Sequence, residues 1–506
     1  MKSRKLICIT AMMSFALAIS GHLAALGQQG EHNRYKIVVF GTFGGPSDQG
    51  SENGAGNYLI NERGMVTGSA DTATPDPFPN SCFFDCMVSH VFRYQRGVLT
   101  DLGTLVPGFS SGATQINARG WIAGQSQNGE IDPLSGFPVA VAVLWKANQI
   151  IALGSLGGNG SVPTGLNNAG QVVGAAANPT LDPFSLFGIG TETRAFLWQN
   201  GVIEDLGTLG GPDAAALAVN EFGQVAGFSY TDATPTPVTG MPTTHPFLWE
   251  DGRMIDLGTL GGTYGGPGAN LGMDTNLAMN NRGQVVGAST LAGDLVAHPF
   301  LWNHGVLLDL GTLGGDNGSA NWINDAGDVV GEGDLPGSVV HHAFLWRGGT
   351  IIDLGTLGST SFAEAINSNG QIVGRSRTGS PTSALQHAFL WEHGGPMIDL
   401  NTLIPANANV LLTEACCITE DGEIVATGTL ASGAVRTILL IPCEESAEIC
   451  VDAGEAALAT THDNLMVPLN RLTMSTTHPT PSETVPTWRA RLAQRYHVPS
   501  LATPKD

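Results

Sequence analysis

Self-similarity at a spacing of roughly 50 residues, the period of stacked β units, constrains this chain more than any other feature. One element reads His-Ala-Phe-Leu-Trp, at His342 to Trp346 and His387 to Trp391. Variants run from Arg194 to Trp198, His245 to Trp249 and His298 to Trp302, and weaker copies start at His90 and Val141. A second element, Asp-Leu-Gly-Thr-Leu, starts at Asp101, Asp205, Asp256, Asp309 and Asp353, with altered copies from Ala152 and Asp399. A third reads Ile-Asn-x-x-Gly-Gln-Val-Val-Gly. Its turn glycines are Gly64, Gly120, Gly170, Gly223, Gly283, Gly327, Gly370 and Gly422, one for each of eight units.

Each element reads as a strand or hairpin. Asn at the start of a four-residue turn can accept a backbone hydrogen bond, and Gly at its end tolerates positive φ. Segments such as Asn117-Ala118-Arg119-Gly120 therefore predict type I turns with a glycine bulge between two strands. A second turn follows each Trp, as in Trp198-Gln199-Asn200-Gly201. Every unit then holds four short antiparallel strands. The first ends in Ile-Asn, the second is Gln-Val-Val-Gly, the third carries Phe-Leu-Trp and the fourth ends in Asp-Leu-Gly.

The order of the strands suggests closure. Tyr35 to Gly41 aligns with a fourth strand alone, seven complete units follow, and the eighth unit stops after its third strand near Ile441. Pairing the two ends would complete the last unit and cover both edges. The expected fold is all-β: an eight-bladed β-propeller of four-stranded antiparallel blades, its last blade closed by the N-terminal strand. A β-solenoid or a seven-bladed ring are the alternatives.

The units resemble the HAF repeat of bacterial extracellular proteins, named for its His-Ala-Phe motif. The resemblance spans residues 35 to 442, with Leu-Trp and Asp-Leu-Gly-Thr-Leu-Gly-Gly in register. Val141 and Arg194 depart from the His position, and Pro246 and Pro299 from the Ala position. It implies export and a repeat architecture, and it brings no reaction with it.

The termini carry separate signals. Lys2, Arg4 and Lys5 precede an apolar stretch from Leu6 to Leu26, and small residues stand before Gln28. That order predicts a secretory signal peptide over 1–27 and a secreted, periplasmic or cell-surface protein. The repeats fill 35–442. The extension 443–506 contains a Thr/Ser/Pro-rich linker near 472–486 and a short helix near 488–496. No later stretch could span a membrane. Only 13% of residues are charged and the net charge is −22, so phosphate backbones are repelled and nucleic acid is not an expected partner. A monomer is expected.

Six cysteines follow the leader, an even number suited to disulfides in an exported chain. Cys82 with Cys86, and Cys443 with Cys450, form plausible local loops. Ring strain disfavours pairing Cys416 with its neighbour Cys417. No His stands at ligand spacing beside these cysteines, so no metal site is expected.

The repeated side chains read as structure. His90, His245, His298, His342 and His387 occupy equivalent places in different units and cannot converge on one ion. They are expected to hydrogen-bond near the unit's own Trp or Asp. Asp205, Asp256, Asp309 and Asp353 should tie the fourth strand to nearby amides, and the Phe and Trp of the third strand should fill the space between sheets. Gly210-Gly211 and Gly314-Gly315 lack the Lys and helix of a phosphate loop. No catalytic residues, cofactor or metal ligands are assigned.

Function is expected where the repeat breaks, in the long loops between second and third strands of units 1 to 4 and the fourth-to-first loops on the same rim. Asp76, Phe78, Asp182, Phe184, Phe187, Tyr264 and Asp274 are the candidate binding residues, as aromatics beside carboxylates that could stack on sugars. The leading expectation is a non-catalytic binding or scaffold module for a glycan or extracellular protein. The alternative is an exported polysaccharide hydrolase or lyase with its site in the central funnel.

Overall fold

The computed structural model describes residues 34–49 and 59–443, apart from 80–81, 83–85, 148, 183, 187–189, 238–239, 267–276, 338–339 and 381–384, together with 457–458. The expected leader, linker and terminal helix, and with them Phe187, Asp274 and Cys450, lie outside these residues.

The described residues are almost all strand. Their one helix is a single 3-10 turn, Leu400–Thr402. Unit 3 is representative. Ser161–Leu166, Val172–Leu181, Thr191–Gln199 and Val202–Asp205 form one antiparallel sheet in sequence order. The same order recurs along the chain, giving the expected all-β architecture of four-stranded antiparallel sheets. Two sheets are larger. Thr244 and Tyr264 form a parallel bridge that merges units 4 and 5. Ala457–Leu458 pairs with the outer strand Val98–Asp101 of unit 1, covering part of that edge.

The turns form as the sequence dictates. Asn167 Oδ1 accepts Gln171 N at 3.0 Å, and Gly170 N donates to Asn167 O at 3.1 Å with Gly170 at φ +87°. The amide end of each Asn reaches the next unit. Nδ2 donates from Asn61 to Asn117 O at 2.7 Å, from Asn117 to Asn167 O, Asn167 to Asn220 O, Asn220 to Asn280 O, Asn280 to Asn324 O, Asn324 to Asn367 O, and Asn367 to Thr419 O. Beside the last of these, Glu420 N donates to Glu62 Oε2 at 3.1 Å. Each buried amide is thus satisfied across an interface, where an unpaired one would cost about 1–3 kcal/mol.

The third strand supplies the core. Phe196 and Trp198 pack with Ala142 and Leu144 of the preceding unit, while Leu197 packs with Ala214 and Phe247 of the following one. Alternate residues of a strand face opposite sides, so one Phe-Leu-Trp run serves two interfaces. Phe196, Phe247, Phe300, Phe344 and Phe389 are fully buried, each worth roughly 1.5–3 kcal/mol of burial.

Close approach explains the glycine after each Val-Val or equivalent pair. A Cβ on Gly174 would lie 2.0 Å from Val162 O and 2.9 Å from the Phe196 ring. Gly174→Ala is expected to lower stability by about 1–3 kcal/mol through overpacking, read as a shift in the urea midpoint. An unchanged midpoint would mean that the first strand can slide aside.

The N-terminal strand Arg34–Val39 pairs antiparallel with Val435–Cys443, from Arg34↔Cys443 to Val39↔Ile438. Tyr35 and Ile37 join the apolar cluster of units 7 and 8. Val38 and Phe40 face the other way and pack with Val66, Phe92 and Leu439.

Candidate functional site

The first strands of consecutive units contact one another and crowd together. Each described first strand of units 2, 3, 4, 6, 7 and 8 also bulges near its middle, where the register with the second strand shifts. A bulge leaves one residue outside the ladder and re-aims its side chain. In unit 3 that residue is Thr164, whose hydroxyl donates to Ala216 O of the next unit. In units 6 and 7 the bulged residues are Asn321 and Glu364.

These bulges gather charge. Arg375 follows Gly374 on the second strand of unit 7, where units 3 and 5 carry Ala175 and Ala288. Its Nη1 donates to Glu364 Oε1 and to Glu414 Oε1 of unit 8, both at 2.8 Å. The two carboxylate oxygens therefore stand no more than twice 2.8 Å apart. The Glu364 side chain is 9% exposed and that of Glu414 34%. The guanidinium also lies 4.5 Å from the Phe362 ring centre, and His341 meets the same ring edge-on. Next to this group, Asn321 Nδ2 donates to buried Glu332 at 2.6 Å and to Ala363 O at 3.1 Å. Sequence reasoning missed Glu364, Arg375, Glu414 and Glu332. The available signal was departure from the repeat inside strands.

The loop residues behave differently. Asp76 is buried, and its oxygens accept Phe78 N at 2.7 Å and Ser110 Oγ of unit 2 at 3.3 Å. The Phe78 ring packs against Phe109. Asp182 is likewise buried and accepts Phe184 N at 2.9 Å, while Phe184 itself is exposed. Asp132, which was not singled out, does the same in unit 2, accepting Leu134 N and Ser135 N and receiving Asn159 Nδ2 of unit 3. Tyr264 is buried at the bridge between units 4 and 5. These carboxylates brace the rim, and the structure does not bring them together into one cleft.

Asp48 and Asp213 are the most deeply buried carboxyls of this rim. Asp213 accepts Thr193 N at 2.7 Å and Leu186 N, and burial pushes its pKa up to about 8, with nearby Asp182 adding to the rise. Asp48 accepts Thr437 N, and Arg436 lies 3.5 Å away. Burial again raises the pKa to about 8 against these partners.

The repeated His residues are clasped to the unit's own Asp, as expected. His90 Nδ1 meets Asp101, His245 Asp256, His298 Asp309, His342 Asp353 and His387 Asp399, at 2.6–3.1 Å. Each Asp also accepts a backbone amide two residues on, as Asp353 does from Gly355. Among the described residues no group of three or more side chains is arranged to hold a metal ion. No helix among them is long and apolar enough to cross a membrane.

Cys82 is bonded to Cys86, matching the expected local loop. Cys416 and Cys417 are bonded to each other, against the expectation from ring strain. Cys443 is also disulfide-bonded.

No protein-family model matches the chain, and no curated protein matches it by sequence. Among solved structures it is similar to dipeptidyl peptidase 4 of Porphyromonas gingivalis, at 10% identity and a TM-score of 0.41, covering 69% of this chain and 56% of that one. It is similar to an acylaminoacyl peptidase of Pyrococcus horikoshii, at 11% identity and a TM-score of 0.38, covering 73% and 56%. A puromycin-hydrolyzing peptidase of Mycobacterium tuberculosis follows at 12% identity and a TM-score of 0.25, covering 69% and 59%. The chain thus spans a little over half the length of these proteins. All three are peptidases, and beside them the expectation of a non-catalytic binding or scaffold module is withdrawn.

Proposed function

We propose that the sheets form one closed eight-bladed propeller and that the protein is a hydrolase working at its centre. Closure rests on three features. The first strand completes the last sheet, the Asn turns are linked from Asn61 to Thr419 with Glu420 returning to Glu62, and one apolar cluster joins the last unit to the first. Export by the leader over 1–27 belongs to the same reading, as does the HAF-repeat resemblance.

The hydrolytic reading is carried by one observation: Glu364 and Glu414 on adjacent first strands, bridged by Arg375. Paired carboxyls roughly 5–10 Å apart or closer can divide the work of acid and base. Glu364, the more enclosed, is positioned by Arg375 and takes the proton of the attacking water as general base. Glu414, the more open, exchanges its contact with Arg375 for the substrate and, entering the reaction protonated, gives its proton to the leaving group as general acid. Two carboxylates in a chain of net charge −22 repel polyanions, so the substrate is uncharged or cationic.

The test is turnover of neutral glycosides and uncharged or cationic peptides by the purified full chain. Glu364→Gln and Glu414→Gln are each expected to lower kcat/KM by at least about 100-fold, the scale of a lost acid–base group, with the circular dichroism unchanged. A folded protein that turns over neither panel would sink the reading.

A further inference from the structure

The first strand of unit 8, Val410–Ile418, shifts register twice against the second. The second shift leaves Cys416 outside the ladder, in the bulge that Thr164, Asn321 and Glu364 occupy in units 3, 6 and 7. Cys416 is bonded there to its neighbour Cys417. Successive side chains of a regular strand point to opposite faces, so two neighbouring sulfurs can meet only where the ladder is broken. The bulge does not need the bond, because units 3, 6 and 7 form the same bulge without cysteine.

The bond is poorly suited to be a staple. A disulfide holds a fold together chiefly by closing a loop in the unfolded chain, and the effect grows with the loop. Between neighbouring residues there is no loop to close. Thiol–disulfide exchange needs instead a sulfur that a thiolate can reach and a leaving sulfur that the fold can house. Cys416 is half-buried, whereas Cys417 is 3% exposed and belongs to the apolar cluster that joins units 8 and 1. The reduced state also has a partner in place. The Cys416 sulfur lies 3.6 Å from Val425 O on the second strand. The Thr164 hydroxyl makes the same contact with Val173 O, at 3.3 Å, in unit 3. A disulfide sulfur has no proton to donate across that gap, and a thiol has one.

We propose that Cys416–Cys417 is a reversible thiol–disulfide exchange site whose reductant is a dithiol, and that reduction passes the Cys416 sulfur from Cys417 to Val425 O. One thiolate of the dithiol attacks the Cys416 sulfur. The bond to Cys417 breaks, and Cys417 leaves as a thiolate that takes up a proton. The second thiolate of the reductant then attacks the reductant's sulfur in the mixed disulfide and closes it to a cyclic disulfide. Cys416 departs as a thiolate, is protonated, and donates to Val425 O. Two electrons and two protons pass from the dithiol to the pair, and the oxidised dithiol reverses the sequence. The redox state thereby sets how firmly residues 414–418 are held at the junction of units 8 and 1. The exchange does not depend on the Glu364–Glu414 pair being catalytic.

The experiment equilibrates the folded full chain with reduced and oxidised dithiothreitol in graded ratios, at about pH 8, where a thiol of pKa about 8.5 is partly ionised. Free thiols are then alkylated and mapped by peptide mass. The peptide carrying Cys416 and Cys417 is expected to pass from unalkylated to doubly alkylated as the ratio rises, and to return when the oxidised form is restored, with the circular dichroism unchanged. Amides of residues 414–418 should exchange hydrogen several-fold faster in the reduced chain. Cys416→Thr, which installs the residue of unit 3, should exchange at that faster rate in both buffers. A pair that stays bonded in the folded chain while Cys82–Cys86 is fully reduced overturns the proposal. So does reduction that unfolds the chain, because the bond would then be a staple. Free thiols at both positions in the oxidised buffer, or equal amide exchange in the two states, overturn it as well.

Discussion

Phe40→Ala is expected to destabilise the protein by about 3–5 kcal/mol, the cost of removing a fully buried ring. Phe40 lies where the chain leaves its first strand, with its backbone N–H on Thr437 O at 3.1 Å. Its ring sits 5.4 Å from Phe92 and 4.8 Å from Tyr94 of unit 1. The same cluster contains Val425 and Leu439 of unit 8. Truncation there opens a cavity at the junction of the chain's two ends, so its effect should reach both. Urea denaturation measures the loss. Hydrogen exchange should show the amides of Val435–Cys443 losing protection together with those of Arg34–Val39. A loss below about 1 kcal/mol, typical of a surface change, would mean that the first strand does not fasten the last sheet.

The second large effect is on pH. Asp48 and Asp213 have pKa values of about 8 in the fold against an ordinary value of 3.8, with burial the main cause. Between pH 4 and 8 the folded chain therefore holds protons at these sites that the unfolded chain has released. Their contribution is complete below about pH 4 and is lost as pH rises through about 8, at up to about 1.4 kcal/mol per pH unit for each group. Both sites stitch one unit to the next. Asp213 before the first strand of unit 4 accepts Thr193 N of unit 3, and Asp48 of unit 1 accepts Thr437 N of unit 8. Asp48→Asn with Asp213→Asn removes the titration; it keeps an acceptor for Thr437 N at position 48 but, because both Asp213 oxygens accept amides, loses one of the two acceptors at position 213 and so lowers stability at every pH. Denaturation at pH 5 and pH 8 should give a steep fall for the parent and a much flatter one for the double variant. Equal slopes would reject this assignment.

The sequence and the fold agree most closely where one rule is applied many times. The Asn-x-x-Gly turns, the His–Asp clasps and the two-faced Phe-Leu-Trp strands each recur with the same chemistry. A repeated pattern averages out local exceptions, so its meaning is visible without coordinates. The loops are harder. Asp76 and Asp182 look like exposed carboxylates beside aromatics, yet both turn inward to their own backbone. The direction of a loop side chain depends on tertiary contacts with the neighbouring unit. Glu364 and Arg375 illustrate the opposite difficulty. Their departure from the repeat is plain in the sequence, but the bulge that brings Glu364 to Arg375 and Glu414 depends on a register shift between strands.

The Asn turns have a consequence for how such a protein can change length over time. Each of the seven rungs from Asn61 to Thr419 joins the same side-chain amide to the same carbonyl of the next unit, so such a rung carries no information about its place in the series. A duplicated or excised unit would find matching partners on both sides. The number of units must therefore be set elsewhere, by the wedge angle that the Phe, Leu and Trp side chains impose between neighbouring sheets. If the units close as proposed, small changes of volume at those positions, rather than changes in the turns, are where a unit would be gained or lost.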